Sequence, residues 1–412
     1  MKKKKIISIL CLVAVVGSLA ACGTINNTTN SKKETQADAS SIKAEDQEKK
    51  ITETRTEDQP EDELTISIES KLSHDPKFGG AYMSSYPIKQ FLAAGFDFGD
   101  SVDIVFSNGA KYKNIPFLSG FYTKRGADLL VGYPGYDFVK FQRNCGEDLW
   151  DLTHLSEEIT ATISLNEKGK FSDVENSFNL SYSTDRNEYE SDEEFANYRN
   201  VKTGDIKENK LYRSASPCDN KYNRAGYTDK LAEKDKIGFV IDLADTDEEI
   251  KEYIKDDNFD SAYFKSLYDD NKVAAVDLAS DYGSEEYKEK LGTGLIKSLD
   301  SEGPLLIHCT EGKDRTGFVL CVLEALCGGK YNELREDYMI TYKNYYHITA
   351  EDNEEQYNII ADTLFGSFIE YLTDKDIRAV KDYEIQEAAK KYLMECGLDG
   401  FQIEQLHKKL CQ

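Results

Sequence analysis

Pro304-Leu305-Leu306-Ile307-His308-Cys309-Thr310-Glu311-Gly312-Lys313-Asp314-Arg315-Thr316-Gly317 is the stretch on which the fold turns. Leu305 to Ile307 form an apolar run into His308 and Cys309, a short polar loop follows, and an apolar helical pattern begins at Thr316. A bare C-x5-R is weak evidence, because short motifs recur by chance. The context raises it, since strand, tight loop and helix in that order build an anion cradle. Loop N–H groups converge on one point, and the N-terminal end of the following helix adds positive partial charge. The fork of Arg315 can hold two phosphate oxygens at once, which the point charge of a lysine cannot. The same field favours the thiolate of Cys309, the form that attacks. The hydroxyl of Thr316 is placed to stabilise that thiolate when it leaves. The bland alternative is a strand-loop-helix with a buried cysteine and a surface arginine.

Around this motif the pattern is one of strands alternating with helices. Strands are expected at Lys210–Ser214, Gly238–Leu243, Val273–Leu278 and Pro304–His308, with helices at about 224–235 and 285–299. Short apolar strands joined by helical crossovers imply a parallel sheet covered on both faces. After Thr316 the chain reads as helices near 316–327, 332–346, 353–372, 383–396 and 400–410, and Gly328-Gly329 stops the first of them.

The run from His308 to Gly317 resembles the signature of bacterial tyrosine phosphatases of the H-C-x-x-G-K-D-R-T-G type. The resemblance extends to Asn197-Tyr198-Arg199-Asn200, to Leu211-Tyr212-Arg213-Ser214-Ala215 and to Ile241-Asp242-Leu243, and covers roughly residues 197–412. It implies an α/β cysteine-phosphatase fold, with a central, mostly parallel sheet flanked by helices. It implies Cys309 as nucleophile through a cysteinyl-phosphate, Arg315 as transition-state clamp, and neither metal nor cofactor. Thr310, Glu311, Gly312, Lys313 and Thr316 would then line the phosphate site. Family members act on phosphotyrosine proteins and, in several cases, on phosphoserine/threonine or phosphoinositides. Two departures make the rim more acidic. Glu311 stands where many members have a small residue, and Asp242 is followed by Leu243-Ala244-Asp245 instead of Leu-Arg.

The leaving oxygen needs a proton from a nearby carboxyl. Asp314 is the first choice, because family members retain it. Asp242, at a strand's C-terminal end and so facing the crevice, is second, and Asp281, on a mobile-loop pattern, is third. His308 is expected to orient the loop backbone. Lys313 has two readings, a phosphate contact or a solvated side chain. Tyr338, Tyr342, Tyr345 and Tyr346 lie at helical spacing and read as packing, as do Cys321 and Cys327. Five scattered histidines offer no metal constellation.

The N-terminal side has a different character. Lys2 to Lys5 precede an apolar stretch, Ile6 to Ala21, that is short for a membrane span and suits a signal peptide. It ends in Leu19-Ala20-Ala21-Cys22-Gly23, which resembles a bacterial lipobox, so residues 1–22 are expected to be a lipoprotein signal with Cys22 lipidated. Residues 23–62 are polar and are expected to form a disordered tether, with a reach of about 35 Å from the membrane. The folded part would thus be exported and held at the outer side of a bacterial membrane. Residues 63–185 read as a mostly-β domain, a small barrel or sandwich, because Val102, Ile104 and Phe106 alternate before an Asn108-Gly109 turn and Ile159 to Leu165 alternate again. Residues 186–412 make the catalytic domain, and Asp185–Glu194 reads as a solvated linker.

The 412 residues carry 76 acidic and 51 basic side chains, a net charge of −25, which opposes nucleic acid as a partner. Forty per cent apolar content excludes a disordered chain. Nine cysteines without C-x-x-C spacing indicate neither a disulfide scaffold nor a zinc ribbon. The expected activity is hydrolysis of phosphate monoesters, protein phosphotyrosine first. The alternatives are a phosphoinositide or inositol-polyphosphate (phytase-like) phosphatase, or a non-catalytic surface-binding lipoprotein. Oligomeric state is not legible.

Overall fold

The computed structural model describes residues 66–412. The export signal, Cys22 and the tether lie outside the described residues.

The β-rich part closes into a seven-stranded barrel. Its strands are β1 (Ser67–His74), β2 (Ala81–Pro87), β3 (Ser101–Phe106), β4 (Lys111–Leu118), β5 (Asp128–Val131), β6 (Phe138–Arg143) and β7 (Thr160–Glu167). Around the barrel the order is β1-β2-β6-β5-β4-β3-β7, antiparallel except for the β4–β5 pair. Closure leaves no unpaired edge. In β3, Val102, Ile104 and Phe106 are buried whereas Val105 is 39% exposed, so the alternation read in the sequence selects the inner face. Phe91, Phe117, Phe141 and Ile163 meet these side chains in the barrel core, each such burial being worth about 1.5–3 kcal/mol.

The second sheet holds β8 (Arg199–Asn200), β9 (Leu211–Ser214), β10 (Phe239–Asp242), β11 (Val273–Ala275) and β12 (Leu305–His308) in the order β11-β10-β12-β9-β8. The pairings β10–β11, β10–β12 and β12–β9 are parallel, and the short edge strand β8 runs antiparallel. Both faces are covered. Leu211, Ile241, Leu305 and Ile307 point into one core, and Tyr212, Val240 and Leu306 into the other. This is why these strands read as continuous apolar runs. β12 lies at the centre, and its C-terminal end delivers Cys309. The expected helices stand at Ala225–Lys234, Glu285–Leu299, Asp314–Leu326, Tyr331–Tyr346, Glu354–Thr373, Asp382–Glu395 and Gly400–Cys411.

Three features differ from the sequence reading. Helices Asp247–Lys255 and Ala262–Asp269 fill the crossover between β10 and β11, the first opened by a Thr246/Glu249 capping box. The stretch 185–194 is no solvated linker, because it forms the turn Arg186–Glu188 and the helix start at Asp192 and buries Tyr189. The helix Ser172–Phe178 packs on Glu354–Thr373, and Phe178 joins the larger core of the second part.

The barrel is docked on that part by its segment 119–127. Tyr122 stacks on Phe178 at 4.9 Å, and Lys124 Nζ donates to Glu370 Oε1 at 2.8 Å. Arg125 donates from its backbone N–H to Ser367 Oγ at 3.0 Å and from Nη2 to Asp281 Oδ1 at 2.5 Å.

Candidate active site

Between β12 and the Asp314–Leu326 helix, the loop carbonyls are held outward one after another. Thr310 O accepts from the backbone N–H of Ser216 at 3.2 Å. Glu311 O accepts from Tyr345 OH at 2.6 Å and from Asn197 Nδ2 at 3.2 Å. Gly312 O accepts from Arg213 Nη2 at 2.9 Å and from Asn197 Nδ2 at 3.2 Å. A planar trans peptide sends N–H opposite to C=O, so the N–H groups of Glu311, Gly312 and Lys313 turn to the inner side of the loop. The helix N-terminus adds to them, with no side-chain cap bonded there. Gly312 is required by this path. Its φ is +66°, and a Cβ would meet Ser214 O at 2.1 Å.

Cys309 is buried at the start of this loop. Arg315 reaches back across it, donating from Nη2 to Thr310 Oγ1 at 3.1 Å and from Nη1 to Leu278 O at 3.2 Å and Leu243 O at 3.4 Å. The carbonyls that seat Arg315 thus come from the ends of β10 and β11. The buried Thr316 Oγ1 has no hydrogen-bond partner among the described residues, which leaves it available to a group in the cradle.

A charged network stands behind the loop. Arg213 donates from Nη1 to Asp337 Oδ2 at 2.7 Å, and Arg199 Nε donates to Asp337 Oδ1 at 3.0 Å. Burial opposes ionisation of Asp337, but the two guanidiniums outweigh it and hold the carboxyl below its ordinary range. Asp337 therefore fixes Arg213, and Arg213 fixes Gly312.

A model of the tyrosine phosphatase family matches residues 194–412, just over half of the chain. The chain belongs to that family. It is a tyrosine-phosphatase-like cysteine phosphatase. Among solved structures, TpbA of P. aeruginosa matches at 15% identity, over 49% of this chain and 87% of TpbA, with a TM-score of 0.19. A Cys-to-Ser form of TpbA in complex with phosphotyrosine matches at 15% identity, over 48% of this chain and 84% of TpbA, with a TM-score of 0.19. No curated protein matches the chain.

The phosphatase places its three acid candidates differently. Asp314 opens the helix with its side chain 45% exposed and Oδ2 3.7 Å from Lys313 Nζ. Desolvation raises its pKa above the ordinary value against the pull of Lys313. Asp242 is wholly buried, and its Oδ1 accepts from the N–H groups of Ala244 and Asp245 at 2.9 and 3.1 Å. Asp281 is clasped by Arg125 and by the N–H of Gly283 at 3.0 Å. The most open carboxyl of the three is Asp314.

The acidic departure at Glu311 has partners. Its Oε1 accepts from Tyr182 OH, and Lys313 Nζ lies 4.0 Å from its Oε2. Lys313 is buried, not solvated. Burial works against its charge, but Asp314 and Glu311 prevail and raise its pKa. Tyr338, Tyr342 and Tyr345 are buried as packing residues, although Tyr345 also holds the loop, and Tyr346 OH accepts from Lys313 at 3.4 Å. Cys321 and Cys327 are buried. His308 directs Nδ1 toward its neighbour's carbonyl, Cys309 O, at 3.4 Å, and burial pushes its imidazole down to about 4.

Asp337, Tyr182 and Arg125 escaped the sequence reading. Asp337 carried a signal, being an acid on the buried stripe Leu334, Tyr338, Tyr342, Tyr345 of its helix. Tyr182 and Arg125 carried none, since only the docking of distant segments gives them partners.

Proposed function

We propose that this phosphatase hydrolyses phosphate monoesters, protein phosphotyrosine first among them, on the loop Cys309–Arg315. The observation that carries the reading is the outward anchoring of three successive loop carbonyls over Cys309. It preorganises donors for the charge that develops on the equatorial oxygens, which is where electrostatic catalysis acts.

The thiolate of Cys309 attacks phosphorus and forms the S–P bond as the P–O bond to the leaving alcohol breaks. Asp314 gives its proton to that oxygen, so a neutral alcohol departs. Water then attacks phosphorus, Asp314 takes one of its protons, and the S–P bond breaks to return the thiolate. Arg315 holds two oxygens through both steps, and Thr316 donates its hydroxyl to the departing sulfur. Asp314 suits the acid because its carboxyl is the most open of the three and desolvation shifts its pKa upward.

The pairing of Glu311 with Tyr182 and Lys313 favours a monoester over a polyphosphorylated ring. With its amine 4.0 Å from Glu311 and 3.7 Å from Asp314, Lys313 is not a free cation for a second phosphate. We infer from the lipobox at Cys22 and the polar segment behind it that the activity sits outside the cell on a lipid anchor.

Release of phosphate from an aryl phosphate, a phosphotyrosine peptide, a phosphoinositide and phytate, by wild type and by Cys309→Ser, tests this reading. Turnover of the first two, lost in the variant, is expected. Undiminished turnover in Cys309→Ser contradicts the mechanism, and preference for phytate contradicts the substrate class.

A further inference from the structure

On the far side of the Leu243–Ala244 carbonyls that seat Arg315, the fold gathers donors that are scattered in sequence. Cys218 Sγ and the carboxylates of Asp242 and Asp245 lie within 4.8 Å of one another, all buried. Cys218 Sγ stands 3.6 Å from Asp242 Oδ2 and 3.9 Å from Asp245 Oδ2. His308 Nε2 is 3.7 Å from the same Asp242 Oδ2. That nitrogen belongs to a fully buried ring and has no hydrogen-bond partner among the described residues.

The carboxylates are oriented from outside. Asp242 Oδ1 is taken by the N–H groups of Ala244 and Asp245, and Asp245 Oδ1 by Tyr253 OH at 3.2 Å. Both Oδ2 atoms are thereby turned to the shared centre, the arrangement in which outer partners aim metal ligands. Bonds of 2.0–2.3 Å in a tetrahedron put neighbouring donors about 3.3–3.6 Å apart, and the spacings of Cys218 Sγ to the two carboxylates and of His308 Nε2 to Asp242 come within a few tenths of an ångström of that.

We propose that Cys218, Asp242 and Asp245 form a binding site for one divalent cation of the zinc type, with His308 Nε2 beside Asp242. The thiolate among the carboxylates selects such a metal over magnesium or calcium. Binding expels the thiol proton and any proton held between the two carboxyls. None of its donors takes part in the proposed reaction.

Cobalt(II) titration of the full chain carrying Cys309→Ser tests it, with the nucleophile removed as a competing thiolate. One equivalent should bind, with thiolate-to-cobalt charge transfer and the intense d–d bands of a four-coordinate site, and zinc should displace it. Adding Cys218→Ser should abolish the charge-transfer band, and adding Asp245→Asn should weaken binding by about tenfold or more. Absence of that band, or its survival in Cys218→Ser, overturns the proposal. Should Cys218→Ser fail to fold by circular dichroism, Asp245→Asn decides, and unchanged cobalt affinity in that variant overturns it.

Discussion

Arg125, on the barrel's docking segment, donates to Asp281 at 2.5 Å, three residues beyond the Leu278 carbonyl that receives Arg315. The barrel thereby steadies the loop on which the Arg315 guanidinium rests. Arg125 also lies over the rings of Tyr371 and Tyr282, at 4.9 and 5.5 Å. Arg125→Ala should lower kcat about tenfold, or about 1.4 kcal/mol, with little change in KM, and Arg125→Lys should recover part of it. Wild-type kcat in Arg125→Ala would show that the barrel does not position the site.

Asp337 pairs with two buried guanidiniums, so its loss strands both charges. Asp337→Ala should cost about 3–5 kcal/mol of stability, measured by urea unfolding at neutral pH. The pH dependence has a definite sign. The folded carboxyl is held below its unfolded value, so the unfolded chain binds the proton first as pH falls. Its contribution is present above about pH 4 and is lost as pH falls below that. Asp337→Asn should start lower and lack this part of the acid slope.

Much of the active site is local, and that part was legible. The loop Cys309–Arg315 and its flanking strand and helix are contiguous, so spacing and residue type specify them. The inward alternation of β3 was legible for the same reason. What escaped depends on segments far apart in sequence. Arg125 and Asp281 are 156 residues apart, and Tyr182 and Glu311 are 129 apart. An acidic residue at position 311 reads as a more negative rim, and only the fold supplies the Tyr182 hydroxyl and the Lys313 amine that answer it. Two helices between β10 and β11 were overlooked although Thr246 and Glu249 spell a capping box.

The acid assignment separates the three aspartates in one experiment. In a pH profile of kcat, Asp314→Asn should lose the basic limb, while Asp242→Asn and Asp281→Asn keep it. Loss of that limb in Asp281→Asn alone would transfer the role to Asp281.

Thr316 Oγ1 is buried with no partner among the described residues, and in the proposed mechanism it serves the departing sulfur. Thr316→Ala should slow the second step more than the first and convert steady turnover of an aryl phosphate into a burst followed by a slow phase. Thr316→Ser, which keeps the hydroxyl, should show no burst. A burst of equal size in both variants would remove the hydroxyl from the mechanism.

At Gly312, a methyl group would strike Ser214 O and occupy a left-handed conformation. Gly312→Ala should displace the carbonyl that Arg213 holds and lower kcat/KM by about a hundredfold or more, with a folded circular dichroism spectrum. Near-normal kcat/KM would mean that the cradle tolerates a different path.

The most direct test of the central claim is intact and peptide mass analysis of the enzyme quenched in acid during turnover of an aryl phosphate. A phosphoryl group should be found on the peptide containing Cys309, and it should be absent from Cys309→Ser. Turnover with no phosphoryl group on that peptide, in wild type and in Thr316→Ala alike, would contradict the account.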